Sequence, residues 1–89
     1  MGLLTQIYKI EFARAAQKFI AKQDKNQRLR LYKAIYKLPQ GTDIQKLSGY
    51  DNKYRLRVGD YRILYEIDNG IRLINIENIN NRGQVYKGL

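Results

Sequence analysis

Two short alternating runs of residues, separated by a glycine turn, constrain the fold of this chain more than any other feature. In the first run basic and apolar side chains alternate: Lys53, Tyr54, Arg55, Leu56, Arg57 and Val58. The second run, residues 61–67, is rich in residues that favour β-strands, and Gly59-Asp60 separates the two runs. Successive side chains of a strand point to opposite faces, so the pattern predicts a hairpin with one apolar face and one basic face.

The segment before this hairpin predicts one strand and two helices. Residues 6–11 alternate as a half-buried strand does, and from Ala13 the apolar spacing of three and four indicates an amphipathic helix. Asp24 is expected to cap a second helix, which Pro39 ends. The buried stripe of that helix is predicted to comprise Arg28 (through its aliphatic stem), Leu31, Tyr32, Ile35 and Leu38.

The segment after the hairpin predicts one more strand. Asp68, Asn69 and Gly70 are typical of a turn, and residues 71–79 alternate again. Neither a repeat nor a low-complexity linker interrupts the chain. We therefore expect one α+β domain over residues 1–89, in the order β-α-α-β-β-β, with an N-terminal strand and a helical hairpin packed on an antiparallel sheet.

The charge of the chain indicates a polyanionic partner. Seventeen Lys and Arg residues against 8 Asp and Glu residues give a formal charge of +9 over 89 residues, concentrated in the first two thirds. In so small a domain this excess favours nucleic acid as the partner. The alternative is that the charge serves only solubility.

The composition also bears on cofactors and location. The sequence contains no cysteine and no histidine, which excludes disulfides and thiolate metal sites and removes the commonest metal ligand. We therefore expect neither a metal nor another cofactor. The N-terminal residues lack the charged start and apolar stretch of an export signal, and no apolar run approaches membrane length. A cytoplasmic protein without a membrane partner is expected.

The basic face of the predicted hairpin is the candidate site. If the turn at Gly59 pairs the two strands, Arg62 joins Arg55 and Arg57 on that face. Three guanidinium groups over a small area repel one another, so the cluster is best explained by an anion that normally sits there, with RNA phosphate the obvious choice. The alternative is a solvated sheet face whose charges discourage aggregation.

Two stretches resemble the core of the RelE/ParE superfamily of toxins from type II toxin–antitoxin systems. They are residues 46–50 (KLSGY) and residues 53–67 (KYRLRVGDYRILYEI), and a final segment, residues 80–86 (NNRGQVY), matches the basic and tyrosine-containing end of the superfamily. The resemblance covers nearly the whole chain. It implies an antiparallel sheet with the helical hairpin on one side and a basic concave surface, open to RNA, on the other.

For the RelE branch, the resemblance implies cleavage of messenger RNA in the ribosomal decoding site by attack of a ribose 2′-hydroxyl on the adjacent phosphate. By position, Arg55 and Arg57 match residues that contact phosphate or take the hydroxyl proton, and Arg62 matches the arginine that braces the scissile phosphate. Arg82 matches the residue that protonates or stabilises the leaving oxygen, and Tyr86 matches the tyrosine that orients a base. Further RNA contacts are expected from Lys46, Lys53 and Lys87.

The sequence leaves open which group takes the proton of the attacking hydroxyl. Arginine transfers protons poorly because its pKa stays above about 12. Asn81 stands where relatives often have a histidine. Glu66, a carboxylate of the second hairpin strand, is either a base or a counter-ion to Arg62 or Arg55. Ribosomal RNA is a further candidate to supply part of the site. Tyr54 and Tyr65 are expected in the core, whereas Tyr86 either stacks on a base or closes the sheet.

Three functions follow from the resemblance. The first is a ribosome-dependent endoribonuclease that inhibits translation, with the ribosome and messenger RNA as partners. The second is a non-enzymatic inhibitor of DNA gyrase, like the ParE branch. The third is an inactive module that binds RNA or antitoxin. Both toxin functions imply a cognate antitoxin that is acidic where it meets the basic face and covers Arg55 to Arg62 or displaces the C-terminal segment.

Overall fold

The protein is an α+β structure built on a single five-stranded sheet. The computed structural model describes residues 7–81. Along the chain the elements are β1 (Lys9–Phe12), α1 (Arg14–Ala21), α2 (Lys25–Ile35), β2 (Ile44–Lys46), β3 (Lys53–Val58), β4 (Tyr61–Asp68) and β5 (Leu73–Asn81). The strand order is β1-β5-β4-β3-β2, and the two helices pack on the apolar face of the sheet. The predicted α+β class, leading strand and helical hairpin are confirmed.

The sheet differs from the expected antiparallel one in two details. Strand β1 pairs with β5 in parallel, so the sheet is mixed, and this pairing joins segments that are far apart in sequence. Strand β2 was not predicted, because three residues are too few to show a period of two; it pairs antiparallel with β3. The last strand begins at Leu73 and not at residue 71, because Arg72 still has a turn conformation with φ of 56°.

Helix α2 begins where the sequence predicts. The Asp24 side chain accepts a hydrogen bond of 2.9 Å from the Gln27 backbone N–H, as an N-cap does. The helix ends at Ile35, earlier than expected, and the chain continues to Pro39 through tighter turns in which Leu38 N–H donates to the Ile35 carbonyl. Leu38 is nevertheless buried in the core. No helix within residues 7–81 is long and apolar enough to cross a membrane.

The core lies between the helices and the sheet. Tyr65 is 1% exposed and stacks on Tyr54 with ring centroids 5.6 Å apart, which confirms that both tyrosines pack inside. The other buried apolar residues come from both helices, the turn after α2, and strands β3, β4 and β5: Ala16, Ile20, Leu31, Ile35, Leu38, Leu56, Tyr61, Ile63, Ile74, Ile76 and Ile79.

A β-bulge in β5 determines which of its residues face the helices. Tyr65 pairs with Ile76 but Leu64 pairs with Asn78, so Glu77 is the extra residue between them. The bulge changes the phase of the strand, which allows Ile76 and Ile79 to be buried although they are three positions apart. Asn78 consequently lies beside Leu64 on the face of the sheet opposite the helices.

Candidate nucleic-acid interface

The sheet face opposite the helices, called the outer face below, carries the predicted arginines. In the β3–β4 hairpin, Arg57 lies opposite Arg62 and Arg55 lies opposite Leu64. Paired residues of neighbouring strands project to the same side, so Arg55, Arg57 and Arg62 share the outer face. On the far side of β4, Arg62 pairs with Asn80 of β5. The structure thus brings together the three arginines that the sequence grouped.

Asp43 connects two of these arginines. Its Oδ1 lies 3.4 Å from Nη2 of Arg55 and its Oδ2 lies 3.6 Å from Nε of Arg57. The backbone N–H of Arg57 also donates to the carbonyl of Asp43, with a distance of 3.0 Å. One carboxylate therefore bridges two guanidinium groups at the start of β2.

Sequence reasoning missed Asp43 as a site residue. Its approach to Arg55 and Arg57 depends on the pairing of β2 with β3, and β2 itself gives no periodic signal. The available signal was an acidic residue a few positions after Pro39 and before the strongly basic strand. That signal does not predict the contact of Asp43 with Arg55 and Arg57, because the contact depends on how β2 pairs with β3.

Arg55 and Arg57 differ in exposure. The Arg55 side chain is 14% exposed, whereas that of Arg57 is 46% exposed. Nε of Arg55 is buried and has no hydrogen-bond acceptor among residues 7–81. A buried donor without an acceptor costs about 1–3 kcal/mol, which is unusual for a residue with a purely structural role. Arg55 is therefore a fixed cation of the outer face, and Arg57 extends towards solvent.

Lys53 lies on the same face but has acidic and aromatic neighbours of its own. Its Nζ is 3.2 Å from a Glu77 carboxylate oxygen and 5.2 Å from the centre of the Tyr50 ring. The hydrogen bond and then the charge of Glu77 raise the pKa of Lys53. Lys46, by contrast, pairs with Tyr54 and is thus on the helix side of the sheet, exposed at its edge. The structure groups Lys53, and not Lys46, with the arginines.

Glu66 has neighbours other than those expected. Its Oε2 accepts a hydrogen bond of 3.1 Å from Nδ2 of Asn52, and its register partner on β3 is Lys53. The ion pair that Arg55 forms within the described chain is with Asp43. Among residues 7–81, Asp43 is therefore the carboxylate in contact with Arg55 and Arg57.

The remaining predicted site residues follow the end of β5. Arg82, Tyr86 and Lys87 lie outside the described residues, and their assignment stays a prediction. Within the part of the chain that the structure describes, no three acidic side chains come close enough together to hold a metal ion.

The fold is that of RelE toxins. The archaeal RelE–RelB complex of Pyrococcus horikoshii OT3 matches with a TM-score of 0.74 and 24% identity, over 89% of this chain and 99% of the other. The RelB–RelE antitoxin–toxin complex of Methanococcus jannaschii matches with a TM-score of 0.74 and 28% identity, over 89% and 98% of the two chains. The isolated RelE toxin of E. coli matches with a TM-score of 0.72 and 22% identity, over 92% and 94%.

The sequence identifies the family directly. A family model described as ParE toxin of type II toxin–antitoxin systems, parDE, matches residues 10–86. The chain belongs to this family and so to the RelE/ParE superfamily of toxins. No curated protein matches the chain.

Proposed function

We propose that this protein is a toxin that inhibits translation by cutting messenger RNA on the ribosome. The observation that carries the proposal is the cluster of Arg55, Arg57 and Arg62 on a sheet face that neither helix covers. Guanidinium groups bind phosphate oxygens with two donors each, which suits them to an RNA backbone. The formal charge of +9 supports the same partner.

The proposed reaction needs no metal. The ribose 2′-hydroxyl attacks the adjacent phosphorus, and negative charge grows on the non-bridging oxygens in the transition state. Positioned arginines stabilise that charge more than they stabilise the substrate, which lowers the barrier. Arg55, Arg57 and Arg62 are proposed to act in this way. The resemblance adds Arg82 at the leaving 5′-oxygen and Tyr86 at a base.

The ribosome and messenger RNA are the proposed partners during the reaction. Lys53 and Lys87 are proposed to add phosphate contacts, which hold a protein on RNA without reading its sequence. Lys46, which lies at the sheet edge on the helix side, could reach only RNA that extends past this edge. Such contacts release counterions, so binding to the ribosome is expected to weaken steeply as salt concentration rises. A cytoplasmic location follows from this proposal.

A cognate antitoxin is the proposed regulatory partner. The P. horikoshii and M. jannaschii relatives were each solved in complex with RelB. We expect the antitoxin of this protein to place acidic residues over Arg55 to Arg62, so that association is fast and salt-sensitive. Equal binding to the wild type and to a variant with Arg55, Arg57 and Arg62 all changed to Ala would contradict this placement.

Inhibition of DNA gyrase is the second candidate function. The description of the matching family as ParE toxin favours it. In that case the outer face would bind protein and would not require a group that transfers protons. A third outcome is a protein with the toxin fold that binds RNA or antitoxin without catalysis.

The experiment that separates these functions is primer-extension mapping of a message in a purified translation system. The wild type is compared with Arg57→Ala and Arg62→Ala, and Arg14→Ala, which removes an exposed cation from α1, is the matched control. Ribosome-dependent cuts by the wild type and by Arg14→Ala, lost in the other two variants, are expected. An intact message together with inhibited gyrase supercoiling would support the second function, and an intact message with active gyrase would support the third.

A further inference from the structure

We propose that Asp43 is the group that accepts the proton of the attacking 2′-hydroxyl. This inference rests on the proposed endoribonuclease function and assigns the step for which the sequence offered no satisfactory residue. The geometry that supports it is the carboxylate of Asp43, which lies between Arg55 and Arg57 on the outer face.

A proton acceptor is needed because a neutral 2′-hydroxyl is a weak nucleophile. The arginines cannot supply one, since a deprotonated guanidinium is scarcely populated at neutral pH. The sequence contains no histidine. A carboxylate is the remaining ordinary side chain that is already deprotonated at neutral pH.

The carboxylates of the outer face are distinguishable by their contacts. Glu77 lies 3.2 Å from Lys53, and Glu66 accepts a hydrogen bond from Asn52. Asp43, in contrast, touches two of the arginines proposed to hold phosphate, and its side chain remains 46% exposed. It is therefore near the expected position of the scissile phosphate and accessible to substrate.

The contacts of Asp43 also fix where its carboxylate stands relative to the bound phosphate. The backbone N–H of Arg57 donates to the backbone carbonyl of Asp43. One carboxylate oxygen of Asp43 faces the guanidinium of Arg55, and the other faces that of Arg57. A phosphate that binds the outward donors of Arg55 and Arg57 would place its neighbouring ribose next to this carboxylate. Positioning of this kind is what general-base catalysis requires.

The proposed reaction moves one proton to Asp43 and exchanges one bond at phosphorus for another. Asp43 takes the proton of the 2′-hydroxyl as the 2′-oxygen forms its bond to phosphorus. The bond from phosphorus to the 5′-oxygen breaks, and that oxygen receives a proton from solvent, to which Asp43 later returns its own. The products are a 2′,3′-cyclic phosphate and a 5′-hydroxyl, and no oxidant, reductant or metal enters the step.

The cationic neighbours of Asp43 on the outer face come from the β3–β4 hairpin. Arg55 and Arg57 face it from β3, and Arg62 lies beyond Arg57 on β4.

The test is single-turnover cleavage of a message on programmed ribosomes, with ribosome binding measured separately. Asp43→Asn keeps the shape of the side chain and removes its capacity to accept a proton, Asp43→Glu keeps that capacity, and Asp51→Asn removes a charge from the exposed loop before β3. Ribosome binding and thermal melting are measured for each variant. Arg57→Ala reports the loss of phosphate stabilisation for comparison.

For Asp43→Asn we expect cleavage to fall by at least about 100-fold while ribosome binding is unchanged or tighter, because a negative charge near phosphate has been removed. Asp43→Glu should recover a substantial part of the rate, and Asp51→Asn should behave as the wild type.

Two results would overturn the inference. If Asp43→Asn weakened ribosome binding and cleavage in parallel, Asp43 would serve only to position the arginines. If Asp43→Asn cut as fast as the wild type, it would have no part in the reaction. A wild type that leaves the message intact would instead refute the proposed function itself, and the assignment of Asp43 with it.

Discussion

Arg57 and Arg62 lie directly opposite each other across the β3–β4 hairpin, as register partners on the outer face. Like charges in this arrangement destabilise a sheet by about 0.2–1 kcal/mol. Asp43 offsets the repulsion on the side of Arg57, at 3.6 Å from its Nε. The hairpin thus retains a charge arrangement that the fold does not need, which is the pattern expected of a binding surface.

Replacement of Arg57 should separate function from stability. The side chain is 46% exposed and its ion pair with Asp43 is open to solvent, so Arg57→Ala should change the free energy of unfolding by less than about 1 kcal/mol. Cleavage should fall by about 100-fold or more, because a guanidinium that stabilises the transition state is lost. Urea titration and the ribosome cleavage assay measure the two quantities.

Arg14→Ala serves as the control, since it removes the same charge from an exposed position of α1. A loss of cleavage in the Arg14 variant as large as that in the Arg57 variant would mean that overall charge, and not the outer face, carries activity.

The N-cap of α2 should contribute measurably to stability. Asp24→Ala leaves the Gln27 N–H without its 2.9 Å acceptor and should lower the free energy of unfolding by about 1 kcal/mol. In a domain of this size that corresponds to a decrease in melting temperature of about 4–8 °C. Asp24→Asn keeps a side-chain oxygen acceptor, so calorimetry should show a smaller decrease for it; equal losses in the two variants would contradict a capping role.

The parts of the fold that were predictable from sequence are those fixed by local pattern. Strands β3 and β4 adjoin a turn at Gly59 with φ of 59°, so their register and the shared face of Arg57 and Arg62 follow from alternation alone. The Asp24 cap is equally local. The parallel pairing of β1 with β5, which places Lys9 opposite Leu73, does not follow from a local pattern, because all the other elements lie between these two strands in sequence.

The same distinction explains what the sequence predicted of the candidate site. Arg55, Arg57 and Arg62 occupy one hairpin, so alternation is enough to group them. Asp43 reaches them through β2, a three-residue edge strand without a sequence signal. Glu66 follows these arginines in sequence, on the second strand of the hairpin, yet its hydrogen bond goes to Asn52.

A side chain at Gly59 should strain the turn between β3 and β4. The residue has φ of 59°, and a Cβ there would lie 2.5 Å from the end of the Arg30 side chain. Gly59→Ala should therefore lower the free energy of unfolding by about 1–2 kcal/mol through backbone strain, whereas the exposed and flexible end of Arg30 should move aside at little further cost. The midpoint of urea unfolding measures the effect.

Gly49→Ala provides the comparison for this prediction. Gly49 also has a positive φ, 84°, but a methyl group at that position would have no neighbouring atom within 4 Å among residues 7–81. It should show the backbone strain without the displacement of a neighbour. Losses of similar size are therefore expected in the two variants, and a much larger loss in Gly59→Ala would mean that Arg30 does not move aside.

Alkaline pH should destabilise the protein through Tyr65. Burial, and then the nearby Tyr54, raise the pKa of Tyr65 to about 12, whereas an unfolded tyrosine titrates near pH 10. Below about pH 10 both states keep the proton, and the stabilising contribution is complete. Between about pH 10 and 12 the unfolded state loses its proton first, so the free energy of unfolding falls as pH rises.

Tyr65→Phe removes this titration and should reduce the alkaline loss of stability, measured by urea unfolding at neutral pH and near pH 11.5, by an amount on the order of 2 kcal/mol. Tyr36→Phe is the matched control, because that ring is 62% exposed. Other groups that ionise at alkaline pH are common to all three proteins and cancel in the comparison. An alkaline loss that is equal in the wild type and in Tyr65→Phe would show that the buried hydroxyl is not its source.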